Sequence, residues 1–291
     1  MKTLVRALPL LSLVILLTAC SLGAQPAATD TAVPPTSAPL PTVAPIENPT
    51  AAPTIAPTIE PTISNLVQVS FNGVTFSYDP SWVTSIQGEI EPAVTSTEGG
   101  SPVMDGVHPE NVLFTITGYP LSGTFHDPAI RVYPLADFAA LDEIFANELA
   151  DLTALLASQP ASVARDQSIP FMPMWNAAQV FHSNMAYINT PNLTGVRYLT
   201  LYAQYAAPLN NQDLFYTFQG ITKDGKYFIS AILPMSQADL PADGTNPPGG
   251  DWNAFAENYQ DYLTGAVDQL EQSPLTSFNP LLAHLDELFE T

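Results

Sequence analysis

Cysteine occurs once in the 291 residues, at Cys20. No disulfide can close within one chain, so the fold must rest on its hydrophobic core. Positive charge is nearly as scarce: seven Lys and Arg stand against 28 Asp and Glu, a formal net charge of −21. A protein that neutralises phosphates needs a basic patch, so nucleic acid is not an expected partner. The same imbalance repels anionic lipid and keeps an exposed surface soluble.

Catalytic signatures are missing too. The chain has no Gly-x-Ser-x-Gly elbow, no second cysteine to act as a nucleophile and neither common glycine-rich phosphate loop. Its four histidines, His108, His126, His182 and His284, are never three or four residues apart, as a helical metal pair would be. His108-Pro109-Glu110 and His126-Asp127 make a metal or acid–base centre only if the fold joins them at a sheet edge; surface or capping roles need no such convergence. Asp239, Asp243 and Asp251 offer oxygens to calcium but lack the spacing of a calcium loop. Asp243-Gly244 reads equally as a turn and Asp251 as a helix cap. Glu89 and Glu91 form the kind of acid pair that cleaves sugars, though a chain this acidic produces such pairs by chance. The sequence therefore assigns no catalytic, metal or cofactor residue.

Long apolar runs are absent as well. The longest, Leu8 to Leu17, follows the basic residues Lys2 and Arg6 and precedes the small residues Thr18 and Ala19. A membrane span needs roughly 20 apolar residues, so residues 1–19 read instead as a secretory leader. The ending Leu17-Thr18-Ala19-Cys20 resembles the lipobox of bacterial lipoproteins. That resemblance implies that the Cys20 thiol receives a diacylglycerol, that the leader is cut before it, and that the new amino group is acylated. Two or more acyl chains anchor stably, whereas one holds only marginally. The expected location is a membrane surface facing outside the cytoplasm, either cell surface or periplasm. Ser21 does not resemble the aspartate that retains lipoproteins at an inner membrane.

Residues 20–64 hold ten prolines, three acids and no base, with prolines at 41, 45, 49, 53, 57 and 61. Proline removes backbone donors and biases its predecessor away from helix, so an extended, disordered tether is expected here. At about 3.1 Å per residue such a tether lifts a domain well clear of a membrane, to roughly 130 Å. Its Thr and Ser are candidate glycosylation sites. Residues 65–291 contain no second tract of this kind and read as one globular domain.

Within that domain, Val67, Val69 and Phe71 alternate with polar residues up to Asn72-Gly73, after which Val74, Phe76 and Tyr78 alternate again. This predicts a type I′ hairpin pairing Phe71 with Val74, with one apolar face. A second hairpin is predicted at 215–218 and 227–232, turning at Asp224-Gly225, with further strands near 111–118, 128–133, 177–187 and 195–205. Apolar stripes predict helices over 135–158 and 251–271, and Asn279-Pro280 predicts the start of a third. Segments 87–110, 160–176 and 234–250 read as loops. The order predicts an α+β sandwich: a mainly antiparallel sheet of about six to eight strands covered by helices. The stretch Phe71-Asn72-Gly73-Val74-Thr75-Phe76-Ser77-Tyr78-Asp79-Pro80-Ser81-Trp82 resembles the opening of Mog1/PsbP-like domains. The resemblance implies that fold and carries over no functional residue.

One apolar run remains, Ile169-Pro170-Phe171-Met172-Pro173-Met174-Trp175, in an expected loop. Exposed, it is a patch for a protein or small ligand; buried, it is a lid on the sheet, and burial is the expectation. A non-catalytic, lipid-anchored binding domain is the function these features favour. A surface hydrolase with a site scattered in sequence and a passive envelope structural protein remain the alternatives.

Overall fold

The computed structural model describes residues 65–95 and 106–291. The expected leader, Cys20, the tract 20–64 and part of the 87–110 loop lie outside the described residues. Strands β1 (Val67–Phe71), β2 (Val74–Tyr78), β3 (Ser85–Glu91), β4 (Asn111–Thr117) and β5 (Ala129–Pro134) lead into helices α1 (Leu135–Ala139) and α2 (Glu143–Ser158). Then come β6 (Ala178–Gln179), β7 (Ser183–Asn189), β8 (Leu193–Thr200), β9 (Tyr202–Ala203), β10 (Phe215–Thr222), β11 (Tyr227–Pro234) and β12 (Ser236–Gln237). Helices α3 (Trp252–Glu257) and α4 (Tyr259–Gln272), a 3₁₀ turn, β13 (Phe278–Asn279) and α5 (Leu282–Glu290) close the chain.

Seven strands form one antiparallel sheet in the order β3-β4-β5-β11-β10-β8-β7. Successive strand residues point to opposite faces. Leu199, Ile229 and Val132 accordingly join one core with β1–β2 residues Val69 and Phe76 and with Val267, Leu285 and Phe289 of α4 and α5. Their neighbours Tyr198, Phe228 and Tyr133 join a second core with Phe138, Phe145, Leu149 and Leu152 of α1 and α2. The sheet is thus covered on both faces, and the architecture is the expected α+β sandwich.

The first hairpin forms as its sequence predicts. Asn72 and Gly73 take φ of 48° and 82°, the left-handed pair that a type I′ turn requires, and Phe71 pairs with Val74. The second hairpin turns through Gly225 at φ 71°, with Ile221 opposite Phe228.

Several boundaries are corrected. Residues 87–91, expected to open a loop over 87–110, belong to the edge strand β3, which pairs with β4 from Ser85–Thr117 to Glu91–Asn111. Gly88 hides its alternation: a Cβ there would sit 2.6 Å from the Cβ of Phe71. The helix expected over 135–158 breaks between α1 and α2, where the Asp142 carboxylate accepts from the Ile144 amide at 2.8 Å and caps the second piece. The helix expected over 251–271 divides at Asn258, and of the two readings open for Asp251 it takes that of a cap on the first part. The last helix starts at Leu282 rather than at Asn279-Pro280, because Asn279 pairs as a strand with Ser236. The strands expected at 177–187 and 195–205 each split, and their short pieces β6 and β9 pair in a small sheet of their own.

Candidate functional site

Sequence-marked acids and histidines separate into different surroundings. Glu91 receives two bonds from Arg131, Nε at 2.7 Å and Nη2 at 3.1 Å, and a third from the Asn111 amide at 3.0 Å. Burial pushes its carboxyl up, but the Arg131 guanidinium and Asn111 outweigh burial and hold it below the usual range. Glu91 is thus engaged by Arg131 and Asn111, while Glu89, two residues before it on the same strand, is exposed. His108 is buried beside it, Nε2 3.8 Å from Glu91 and Nδ1 2.9 Å from the Pro109 carbonyl. This cluster ties the edge strand to β5.

Two of the three aspartates that could offer oxygens to calcium serve the backbone instead, Asp243 accepting from the Thr245 amide at 2.9 Å and Asp251 capping α3, while Asp239 accepts from the Gln237 side chain at 3.1 Å. Among the described residues no three His, Cys, Asp or Glu side chains converge as a metal-holding group, and no helix is long and apolar enough to cross a membrane. Buried His182 lies 3.2 Å from the Ala164 carbonyl, and His284 stacks on Trp82.

The 169–175 run is mostly buried, with Ile169, Phe171 and Met172 at 1%, 3% and 0% exposure. Its backbone is held by side chains: the Phe171 amide donates to Glu148 at 3.1 Å and the Met172 amide to Gln219 at 3.1 Å. The last residue, Trp175, emerges at the wall of a cleft of about 560 Å³.

That cleft gathers four segments. Phe125 and His126 come from the β4–β5 loop, Trp175 to Ala177 from the end of the apolar run, Tyr202 to Tyr205 from β9 and beyond, and Asp213 from the turn before β10. The Phe125 amide donates to the Gln212 carbonyl at 2.8 Å, joining two of them, and β6–β9 pairing joins the other two. Asn210 fixes Asp213 by accepting from its amide at 3.0 Å and donating to its carboxylate at 2.8 Å. Beneath lie buried Phe171, Phe215 and Ile232, with Trp175 and Tyr202 packed on them.

His126 lies flat on Trp175, ring centroids 4.6 Å apart, with Phe215 edge-on at 4.9 Å. Burial among these rings pushes its pKa down to about 4 against the pull of Asp213 and Asp127. At neutral pH it is an uncharged imidazole. Phe125 and Tyr205 stand at the cleft 72% and 58% exposed, and Trp252 flanks Tyr205 at 6.4 Å.

His126 and Trp175 stand out in the sequence only singly, and Phe125, Tyr202, Tyr205 and Asp213 carry no mark there of belonging to a site. The one available signal was the density of aromatics at 202–205, which a strand explains equally well.

A second cleft of about 380 Å³ opens between the β1–β2 turn, the sheet and the end of α5. Val74, Phe76, Ile130, Leu193 and Leu288 line it beneath a rim of Asn and Thr, with no Asp, Glu, Lys, Arg or His. It offers shape but little polar chemistry.

No protein family, curated protein or solved structure matches the chain. Fold and cleft together define a class: an acidic α+β sandwich carrying an aromatic cleft on loops at one end of its strands.

Proposed function

We propose that this chain is a lipid-anchored, extracytoplasmic protein that binds a small ligand in the aromatic cleft without transforming it. The observation that carries the reading is the clustering of exposed rings. Among the described residues four aromatic side chains are exposed, and three of them, Phe125, Tyr205 and Trp252, lie at or beside this one cleft. Water-facing aromatic surface is costly when it has no partner, and such patches mark contact sites. The cleft's volume falls within the range of small-molecule sites.

The lining supports binding over catalysis. It holds no Ser, Thr, Cys or Lys to act as a nucleophile, and its two titratable groups besides tyrosine are His126 and Asp213. Asp213 is engaged by Asn210, and His126 is a weak base at its lowered pKa. Anchoring rests on the lipobox-like Leu17-Thr18-Ala19-Cys20 and the Pro/Thr/Ala tract behind it.

Two measurements test the two halves. Ligand-observed NMR of the full-length chain, against a panel of organic cations, saccharides and aromatic compounds, is expected to find a class whose signal is lost in Tyr205→Ser; identical profiles for both proteins would remove the cleft as the ligand site. Cys20→Ala is expected to release the protein from the membrane fraction, and its retention there would remove the lipid anchor.

A further inference from the structure

We infer that the ligand of the aromatic cleft is an organic cation whose ammonium head is clad in methyl or alkyl groups, an inference that rests on the cleft being the ligand site. Charge is the first argument. Asp213 lines the cleft and Asp127 lies close enough to act on His126, while no Lys or Arg lines it. The described residues hold five basic side chains, and four are neutralised elsewhere: Arg131 by Glu91, Arg165 by Asp268 and Glu271, Arg197 by Asp286, Lys226 by Asp224. An anion would enter against the cleft carboxylates and the negative field of the whole chain, whereas a cation is drawn in by both.

The aromatic walls are the second argument. Tyr202, Tyr205, Phe125 and Trp175 line the cleft, and aromatic rings attract a desolvated cation through their negative faces. His126 does not oppose this, because it carries no charge at neutral pH.

Hydrogen-bonding capacity is the third. Apart from tyrosine hydroxyls, the side-chain donors at the lining are His126, Asn176 and Gln204, and the Gln204 amide is occupied by the Asn176 carbonyl. A saccharide buries many hydroxyls that each need a partner, and this lining supplies few. A quaternary ammonium has no N–H to satisfy. It needs ring faces and diffuse negative charge, which are what the cleft holds.

The test is a titration of the full-length chain, followed by tryptophan emission and by calorimetry, with tetramethylammonium, with choline and with 3,3-dimethyl-1-butanol, the uncharged isostere of choline. Choline is expected to bind saturably and at least about tenfold more tightly than the isostere, since only the charge differs. Asp213→Asn is expected to weaken choline several-fold while leaving the isostere unchanged, and Tyr205→Ser to weaken both. Asp127→Asn, at an exposed position, is expected to act in the same direction as Asp213→Asn and serves if that variant fails to fold. Equal binding of choline and its isostere overturns the cation assignment. So does saturable binding of a neutral panel compound with no ammonium bound, which leaves the cleft standing as a ligand site. Absence of saturable binding by every probe and panel compound overturns both readings.

Discussion

The imidazole of His126 lies over the indole of Trp175 with centroids 4.6 Å apart and planes 16° from parallel. The stack packs a titratable ring into an aromatic wall, and stability must therefore depend on pH. An unfolded chain protonates this histidine near 6.5, the folded chain only near 4. Between those values the unfolded state binds more protons, so folding stability falls as pH drops from about 6.5 toward 4 and is unaffected by this group above that window. The difference is expected to be on the order of 2 kcal/mol. Urea unfolding at pH 7 and pH 4.5, compared between the native chain and His126→Gln, isolates it from carboxylate titration; parallel losses in both proteins would refute the assignment.

Gly195 and Gly220 stand opposite each other on β8 and β10, and the ring of Phe218 lies over both. A Cβ at Gly195 would come within 2.2 Å of that ring, and at Gly220 within 2.5 Å. The ring has no room to retreat, because Phe289 of α5 stacks on it at 4.0 Å. Gly195→Ala is therefore expected to cost ~1–3 kcal/mol by overpacking. Adding Phe218→Leu should recover part of that loss, so the double variant is more stable than the two single effects sum to. Simple additivity in denaturant titrations would show that the ring does not fill the space over the glycines.

Such positions also explain what the sequence does and does not disclose. The two hairpins were legible because alternation and turn chemistry are local: Asn72-Gly73 and Asp224-Gly225 announce themselves. Strand β3 was not, since Gly88 interrupts the apolar alternation between Ile86 and Ile90 for the sake of Phe71, a residue on another sheet. The breaks at Ala140 and Asn258 were hidden for a related reason, as buried apolar residues continue on both sides of each break. The cleft was least legible of all. Its rings come from three segments far apart in sequence, and each ring taken singly has an ordinary packing explanation.

Helix α5 is held to the sheet by polar chemistry as well as by packing. Arg197 lies with its Nε 3.1 Å from an Asp286 carboxylate oxygen, and the Tyr216 hydroxyl donates to the same oxygen at 3.0 Å. Asp286→Ala leaves a largely buried guanidinium without its counter-charge, for which a loss of about 3–5 kcal/mol is expected. Arg197→Met with Asp286→Leu removes both charges together and should be far less harmful than either single truncation. Equilibrium unfolding of Arg197→Met, Asp286→Leu and the double variant decides it, and a double variant as unstable as the sum of the two single losses would mean that packing alone secures the helix.

Trp175 reaches the cleft at the end of a segment that buried polar groups hold in place. The Gln219 oxygen accepts from the Met172 amide at 3.1 Å, its amide donates to Thr217 and Ser230 at 3.0 Å each, and the Ser230 hydroxyl donates to the Met172 carbonyl at 2.7 Å. Gln219→Leu preserves approximate volume but strands the Met172 amide in an apolar surround, which should cost ~1–3 kcal/mol. The effect is expected to be local before it is global, because only the 169–175 segment depends on this contact while the strand pairing of β10 does not. Amide hydrogen exchange should therefore accelerate across 169–175 and leave β10 and β11 protected. Ligand affinity should fall with it, since Trp175 loses its fixed position against Tyr202 and His126. Unchanged exchange in the segment would show that Glu148 and the buried apolar side chains fix it without Gln219.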